Sequence, residues 1–315
     1  MIVNGLTVAV TGATGQQGGA VARRLLTDGW TVRALTRDPT SPKARALAAA
    51  GADVRTVDMA DPATLKPAID GVYGVFSVQP ASGAPDSPPD YSWQDEIAAG
   101  RNVADAAADA GVRHLVYASA NSAQLGSGIR ILENKWVIEE HIRGLGISAT
   151  VLRPTSFMEN YVHPVWGLRD GTLTTAIAPD VPQQLIALSD IGALAALALA
   201  HPDRFAAQAL ELAGDALTPP QIADVMSRAT GRTVPYVRMP METLRELSPD
   251  AAEGHEWLND RRSHGADINA LRAVHPSLMS FDTWLEREGA RQLEQLLDGV
   301  SRETASRHGQ QPSAG

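Results

Sequence analysis

The sequence predicts an α/β protein, a doubly wound parallel sheet carrying a smaller, mostly helical C-terminal lobe. Three observations predict it: short β-rich runs alternate with helical patterns through the first half, a glycine-rich turn follows the first run, and the rhythm breaks after Pro154. The runs fall at 7–11, 31–35, 53–57, 72–76 and 114–118, with a sixth at 147–152. They begin about 20 to 40 residues apart, which leaves room for a crossover helix each time. Helix limits agree. Asp61-Pro62 offers an N-cap followed by proline at the first helical position, and Gly111, Gly144 and Gly146 stand where helices should stop.

After Pro154, a Pro- and Gly-bearing stretch at 164–182 leads into a strand-like run at 184–188, and Ser189-Asp190 reads as the cap of an alanine-rich helix. A further strand is expected at 209–213, followed by Thr218-Pro219-Pro220-Gln221, a capping box. The expected organisation is a sheet domain from 1–154 and 183–213, and a small lobe from 155–182 and 214–300 leaning over the C-terminal edge of the sheet, where doubly wound folds bind ligands. Residues 301–315 are polar and aperiodic, as expected of a mobile tail.

Composition excludes several classes. Of 315 residues, 44% are hydrophobic and 20% charged, the balance of a compact globular chain. No apolar run approaches the roughly 18 residues that span a bilayer, and no basic segment precedes an apolar stretch at the N-terminus, so a cytoplasmic protein without a membrane span is expected. The absence of cysteine removes disulfides, thiol nucleophiles and thiolate metal sites. No histidine pair has metal-ligand spacing, so no metal is expected. A formal charge of −9 argues against direct nucleic-acid binding.

The strongest chemical signal is Gly12-Ala13-Thr14-Gly15-Gln16-Gln17-Gly18, which follows the first run directly and opens a helix expected over 18–26. Glycines let the backbone turn and approach a pyrophosphate, while free N–H groups and the positive helix end favour its charge. An ordinary Gly-rich turn is the alternative. Strand, spacing and helix together favour a Rossmann-type dinucleotide site contacted by Gly12, Thr14, Gly15, Gln16, Gln17 and Gly18. At the end of the second run, Arg37 suits a 2′-phosphate, with Lys43 and Arg45 adding positive potential, so NADP(H) is the expected cofactor. Arg37 could instead pair with Asp38, and Asp38 could hold a ribose. Asp58-Met59 lies where an adenine edge would sit, although Asp58 equally suits a turn. Ser77, just after the fourth run, completes the cofactor candidates.

The glycine spacing, Thr36-Arg37, Val57-Asp58 and Arg153-Pro154-x-x-Phe157-Met158-Glu159-Asn160 resemble the NmrA-like family of atypical short-chain dehydrogenases/reductases, especially its NADPH-sensor-like branch. The similarity runs from about Val3 to Leu297 and includes Phe281-Asp282-Thr283-Trp284-Leu285-Glu286. It implies NADP(H) binding and either reductase activity or redox-dependent regulation through a protein partner.

In the wider superfamily that this resemblance brings in, catalysis uses a serine after strand five and a Tyr-x-x-x-Lys pair on the next helix. Ser119 matches the serine and Lys135 the lysine, but Ile131 stands where the tyrosine should be. Ile131 has no proton to give, so reduction would draw on Lys135, a bound water or another group such as Tyr161. Isoflavone-reductase-like relatives keep a lysine thought to serve in that place. Lys135 has a second reading, a solvent-facing helical pair with Glu139, and Ser119 could cap the following segment. Phe157 and Asn160 could wall a nicotinamide pocket together with Met158, although a Phe-Met pair suits a core equally well. The loop 79–91, with four prolines, could cover that pocket. Two functions follow: an NADPH-dependent reductase of a small quinone, enal, imine or carbonyl acceptor, which is preferred, or a non-catalytic NADP(H) sensor acting on a partner protein.

Overall fold

The computed structural model describes residues 5–82, 87–88, 90–163, 168–260, 262 and 265–308, with side chains as far as 299. Its first half alternates strictly: β1 (Thr7–Val10), α1 (Gln16–Thr27), β2 (Thr31–Thr36), α2 (Pro42–Ala49), β3 (Asp53–Thr56), α3 (Pro62–Ile69), β4 (Gly74–Ser77), α4 (Trp93–Asp109), β5 (His114–Ala118), α5 (Arg130–Gly144) and β6 (Ala149–Pro154). There follow β7 (Ser156–Phe157), β8 (Leu173–Thr175), β9 (Gln183–Ile186), α6 (Leu188–Ala200), α7 (Pro202–Phe205) and β10 (Ala209–Leu212). The remainder comprises β11 (Asp215–Leu217), α8 (Pro219–Thr230), β12 (Tyr236–Arg238), α9 (Met241–Leu247), α10 (Pro249–Asn259), α11 (Ile268–Val274), α12 (Phe281–Trp284) and α13 (Ala290–His308).

Seven strands form one parallel sheet in the order β10-β6-β5-β4-β1-β2-β3. The order reverses between β1 and β4, the switch point at which doubly wound sheets open a crevice at their strand C-termini. Thr11 fixes that point: its hydroxyl donates to the Val78 carbonyl at 2.9 Å and accepts from the Val78 N–H at 2.8 Å. Val75, Leu115 and Tyr117 pack under Val103 and Ala104 of α4 and Ile138 and Ile142 of α5. Each such buried aliphatic chain contributes about 1.5–3 kcal/mol.

The chain divides into two compact units, Met1–Thr155 with Leu188–Leu212 and His264–Pro276, and Ser156–Ala187 with Ala213–Ser263 and Ser277–Gly315. The sequence had grouped 214–300 as one lobe, yet α11 clusters with the first unit, where His275 Nε2 meets Asp190 Oδ1 at 2.9 Å. The second unit has its own core of Met158, Tyr161, Phe281, Trp284, Leu293 and Leu297. A three-stranded sheet, β11-β9-β7, and a two-stranded one, β12-β8, belong to it.

Two local expectations change. α6 begins at Leu188, so Ser189 and Asp190 lie inside its first turn and do not cap it; Ile186, Ala187 and Leu188 are all buried, and the chain enters the helix directly from β9. α13 runs to His308, past the point where an aperiodic tail was expected, because residues 301–308 contain neither glycine nor proline to break it. The rest of that tail, 309–315, lies outside the described residues, as do 83–86 and 89 of the loop 79–91 and 164–167 of the stretch 164–182. Among the described residues no helix is long and apolar enough to cross a membrane.

Candidate functional site

The glycine loop joins β1 to α1 at the switch point. Gly12 takes φ +55°, and a Cβ on Gly18 would lie 2.2 Å from the Gly12 carbonyl oxygen, so only glycine lets the helix start so close to the strand. Several later helices receive a side-chain cap, from Ser41, Asp61, Ser92, Ser248, Asp267 or Ser280, whereas α5, α7 and α9 have none. At α1 the capping position is Gly15, which supplies none, and the first turn carries no acidic residue. The first-turn N–H groups, including those of Gln16 and Gln17, are thus left to an outside acceptor. Gln17 Oε1 is buried with no hydrogen-bond partner. The open N–H groups fit the anionic bridge of a dinucleotide, whose charge suits a positive helix end, while the Gln17 oxygen, an acceptor, can take only a donor such as a hydroxyl.

Thr14 Oγ1 lies 3.5 Å from Thr36 Oγ1, tying the loop to the end of β2. Arg37, next along, is exposed and makes no hydrogen bond or ion pair among the described residues. Asp38 does not hold it: its carboxylate accepts from Thr40 Oγ1 at 2.6 Å and Thr40 N–H at 2.8 Å, bonds that keep it below the usual carboxylate range. Asp58 behaves as a turn residue, accepting from Ala60 N–H at 3.0 Å, while Met59 is half-buried and its carbonyl accepts from Asn102. Ser77 faces the interior; its hydroxyl accepts from Gln79 Nε2 at 2.9 Å, and Gln79 Oε1 is left buried with no partner among the described residues. Position 79 therefore offers an unsatisfied polar atom that the sequence reading of Ser77 missed.

A second polar region lies between α4 and α5. Buried positions Glu96, Ala99, Gly100, Val103, Ala104 and Ala107 make one stripe of α4, and Asn134, Lys135, Ile138, Glu139 and Ile142 make the facing stripe of α5. Lys135 Nζ meets Glu96 Oε1 at 2.8 Å, with both side chains buried, and Asn134 Nδ2 donates to Glu96 Oε2 at 3.2 Å. This replaces the solvent-facing pair with Glu139 that the spacing suggested. Glu139 instead accepts from Arg153 Nη2 at 2.6 Å and Nε at 2.9 Å, and from Ser119 Oγ at 2.5 Å. Arg153 also reaches Glu211 at 3.1 Å, and Glu211 accepts from Asn121 and Gln124. Burial works against the Arg153 charge, but the bonds to Glu139 and Glu211 outweigh it and raise its hold on the proton.

Ser119 and Lys135 thus share the first unit with the glycine loop, but the Ser119 hydroxyl donates its one hydrogen bond to Glu139, and the residue stands at neither neighbouring helix cap. Ile131, one turn before Lys135, is 46% exposed, so the position that should carry a hydroxyl presents apolar surface to solvent. In the second unit, Tyr161 belongs to the core, edge-on to Phe281 with ring centroids 5.3 Å apart, and burial pushes its phenol well up. Met158 is fully buried there and Phe157 half-buried. Asn160 is half-buried, with Nδ2 3.5 Å from Ser156 Oγ and Oδ1 buried without a partner. Glu96 was missed at the sequence level. Its signal was present, since a charged residue sits on the same helical stripe as three alanines, a glycine and a valine, at the spacing that buries them.

Comparison with known proteins agrees with this geometry. The model of the NmrA-like family matches residues 5–277. An NmrA-like family domain-containing oxidoreductase, FrzB of Cladobotryum, is 35% identical over 51% of this chain and 50% of its own, so the chain spans about half the length of that relative. A reductase of Streptomyces griseus, named for a (4-alkanoyl-5-oxo-2,5-dihydrofuran-3-yl)methyl phosphate, is 30% identical over 85% of this chain and 91% of its own. The structure of Citrobacter triphenylmethane reductase complexed with NADP(H) superposes with TM-score 0.71 at 25% identity, covering 89% of this chain and 99% of that one.

Proposed function

The chain belongs to the NmrA-like family, and from that premise we propose that it is an NADPH-dependent reductase of a small quinone, enal, imine or carbonyl acceptor. The observation that carries this reading is Lys135, a buried ammonium held by Glu96 in the same unit as an uncapped glycine loop. The reductases of Streptomyces and Citrobacter support the same class of chemistry. NADPH, when bound, supplies a hydride to the acceptor. The α1 N-terminus would hold its pyrophosphate, and Arg37, which has no partner among the described residues, would hold the 2′-phosphate. The Lys135 ammonium gives the acceptor heteroatom its proton, in place of the hydroxyl that Ile131 lacks. Ser119 acts indirectly, by orienting Glu139. Trp93, Leu125 and Ile131 are exposed large apolar side chains at or just before the starts of α4 and α5, a surface suited to an apolar acceptor body.

NADPH oxidation against a panel of quinones, enals and carbonyls tests this. Lys135→Ala should lower kcat by about a hundredfold or more; an unchanged kcat removes the lysine from the chemistry. One observation favours a second reading, a cofactor-dependent regulator of a partner protein: the hydroxyl lost at Ile131. Failure of the wild type to turn over any acceptor, with NADPH binding intact, would favour it.

A further inference from the structure

The Glu96–Lys135 contact is built into the packing of two helices. A Cβ on Gly100, one turn beyond Glu96, would lie 2.6 Å from Ile138 Cδ1, so the glycine is what lets α4 and α5 approach until carboxylate and ammonium meet. Asn134 holds the other carboxylate oxygen. The nearby alternatives are occupied: Glu139 is taken by Arg153 and Ser119, and Asp95 accepts from the Ser92 hydroxyl and N–H. Two further groups face Glu96, Tyr117 on β5 and Tyr91 ahead of α4, whose buried hydroxyls have no hydrogen-bond partner among the described residues. Burial first and the Glu96 charge second push both phenols up, so they stand as neutral hydroxyls beside the pair.

We propose that Glu96 is a positioning residue of the reduction, fixing the Lys135 ammonium in the α4–α5 layer as the proton donor. The inference rests on the reductase reading for its kinetic consequence and on the ion pair for its structural one. A lysine buried without a counter-charge favours the neutral amine, which has no acidic proton to give. The step balances. The acceptor carbon takes a hydride, with its electron pair, from the reduced nicotinamide; the Lys135 N–H bond breaks as the acceptor O–H bond forms; the resulting amine takes a proton from water while Glu96 stays a carboxylate throughout.

The test follows the Lys135 side chain by NMR titration in lysine-labelled protein, together with kcat against pH using menadione as acceptor, in wild type, Glu96→Gln and Glu96→Asp. In Glu96→Gln the Lys135 midpoint and the alkaline limb of kcat should both fall by about one unit or more. kcat near pH 8 should drop about tenfold while the NADPH Kd stays within about threefold. Glu96→Asp should restore part of both shifts. An unchanged Lys135 midpoint in Glu96→Gln overturns the proposal, and so does a loss of kcat equal at every pH and not relieved by Asp, which marks a merely structural role. If Glu96→Gln does not fold, Glu96→Asp carries the test, and an Asp variant identical to wild type in midpoint and kcat overturns it. A midpoint that moves in a protein whose wild type reduces no acceptor upholds the pairing and sinks the reductase reading, which keeps the two failures apart.

Discussion

Around the Gly12–Gly18 loop the first unit leaves polar groups unspent, whereas in the α4–α5 layer it pairs its charges internally. The loop has an uncapped helix start and, among the described residues, an unpaired Gln17 oxygen and a nearby Arg37 without a partner. The layer has Lys135 on Glu96, and Arg153 on both Glu139 and Glu211. A region left unsatisfied gains from a ligand, because an outside group completes bonds the fold does not make. A region whose charges are already paired gains less from a ligand and instead holds its charged groups still, although the Tyr91 and Tyr117 hydroxyls beside the Glu96–Lys135 pair stay open among the described residues. On the proposed reading, the difference separates the place of the cofactor from the place of the proton donor.

The largest way to break that comparison is to open the completed layer. Arg153→Met strands Glu139 in the interior and should cost about 3–5 kcal/mol in urea denaturation, with much of it recovered when Glu139→Leu is added; a loss below about 1 kcal/mol would mean the layer is not closed as described. Next is Gly18→Ala. Its methyl would meet the Gly12 carbonyl, so we expect about 3 kcal/mol of destabilisation together with loss of NADPH binding. Wild-type melting and affinity in that variant would remove the steric account of the loop.

A third prediction concerns another internally satisfied group. His114 sits between Ser148 Oγ and Thr150 Oγ1, each 2.8 Å away, and burial, aided by the charge of Arg113, pushes its imidazole from 6.5 down to about 4. The folded form therefore keeps it neutral while the unfolded chain takes up a proton as pH falls below 6.5. Its contribution is intact above that pH and is lost between there and about 4, on the order of 2 kcal/mol by about pH 5. Unfolding free energies measured across this window should flatten in His114→Gln, and an identical slope in both proteins would assign the loss elsewhere. The smallest effect belongs to the unspent region: Arg37→Glu should weaken NADPH about tenfold, or about 1.4 kcal/mol, and leave NADH nearly unchanged. Titration of both cofactors reads it, and equal NADPH affinity in the two proteins would end the phosphate role of Arg37.

Much of the fold was legible because it is written locally. The β-rich runs anticipated the six leading strands to within a few residues, and Gly111, Gly146 and the Thr218-to-Gln221 box all fall at helix ends. The glycine loop was legible for the same reason, since its residues are contiguous and their geometry is set by their own backbone. The α4–α5 layer was not. Spacing along one helix offered Glu139 to Lys135, but the partner across the interface is nearer for a buried ammonium, and it comes from a residue 39 positions earlier, Glu96. Ser119 and Tyr161 likewise matched roles by type, and burial gave one to Glu139 and the other to a core of aromatic rings.

By itself the sequence determined the alternation of strands and helices, the glycine turn at the switch point and the missing hydroxyl at Ile131, because periodicity, turn chemistry and residue identity act over a few neighbouring positions. Only the tertiary structure decided which carboxylate each buried cation meets, since that choice depends on how closely two helices pack, and here Gly100 on α4 leaves the room that Ile138 of α5 fills.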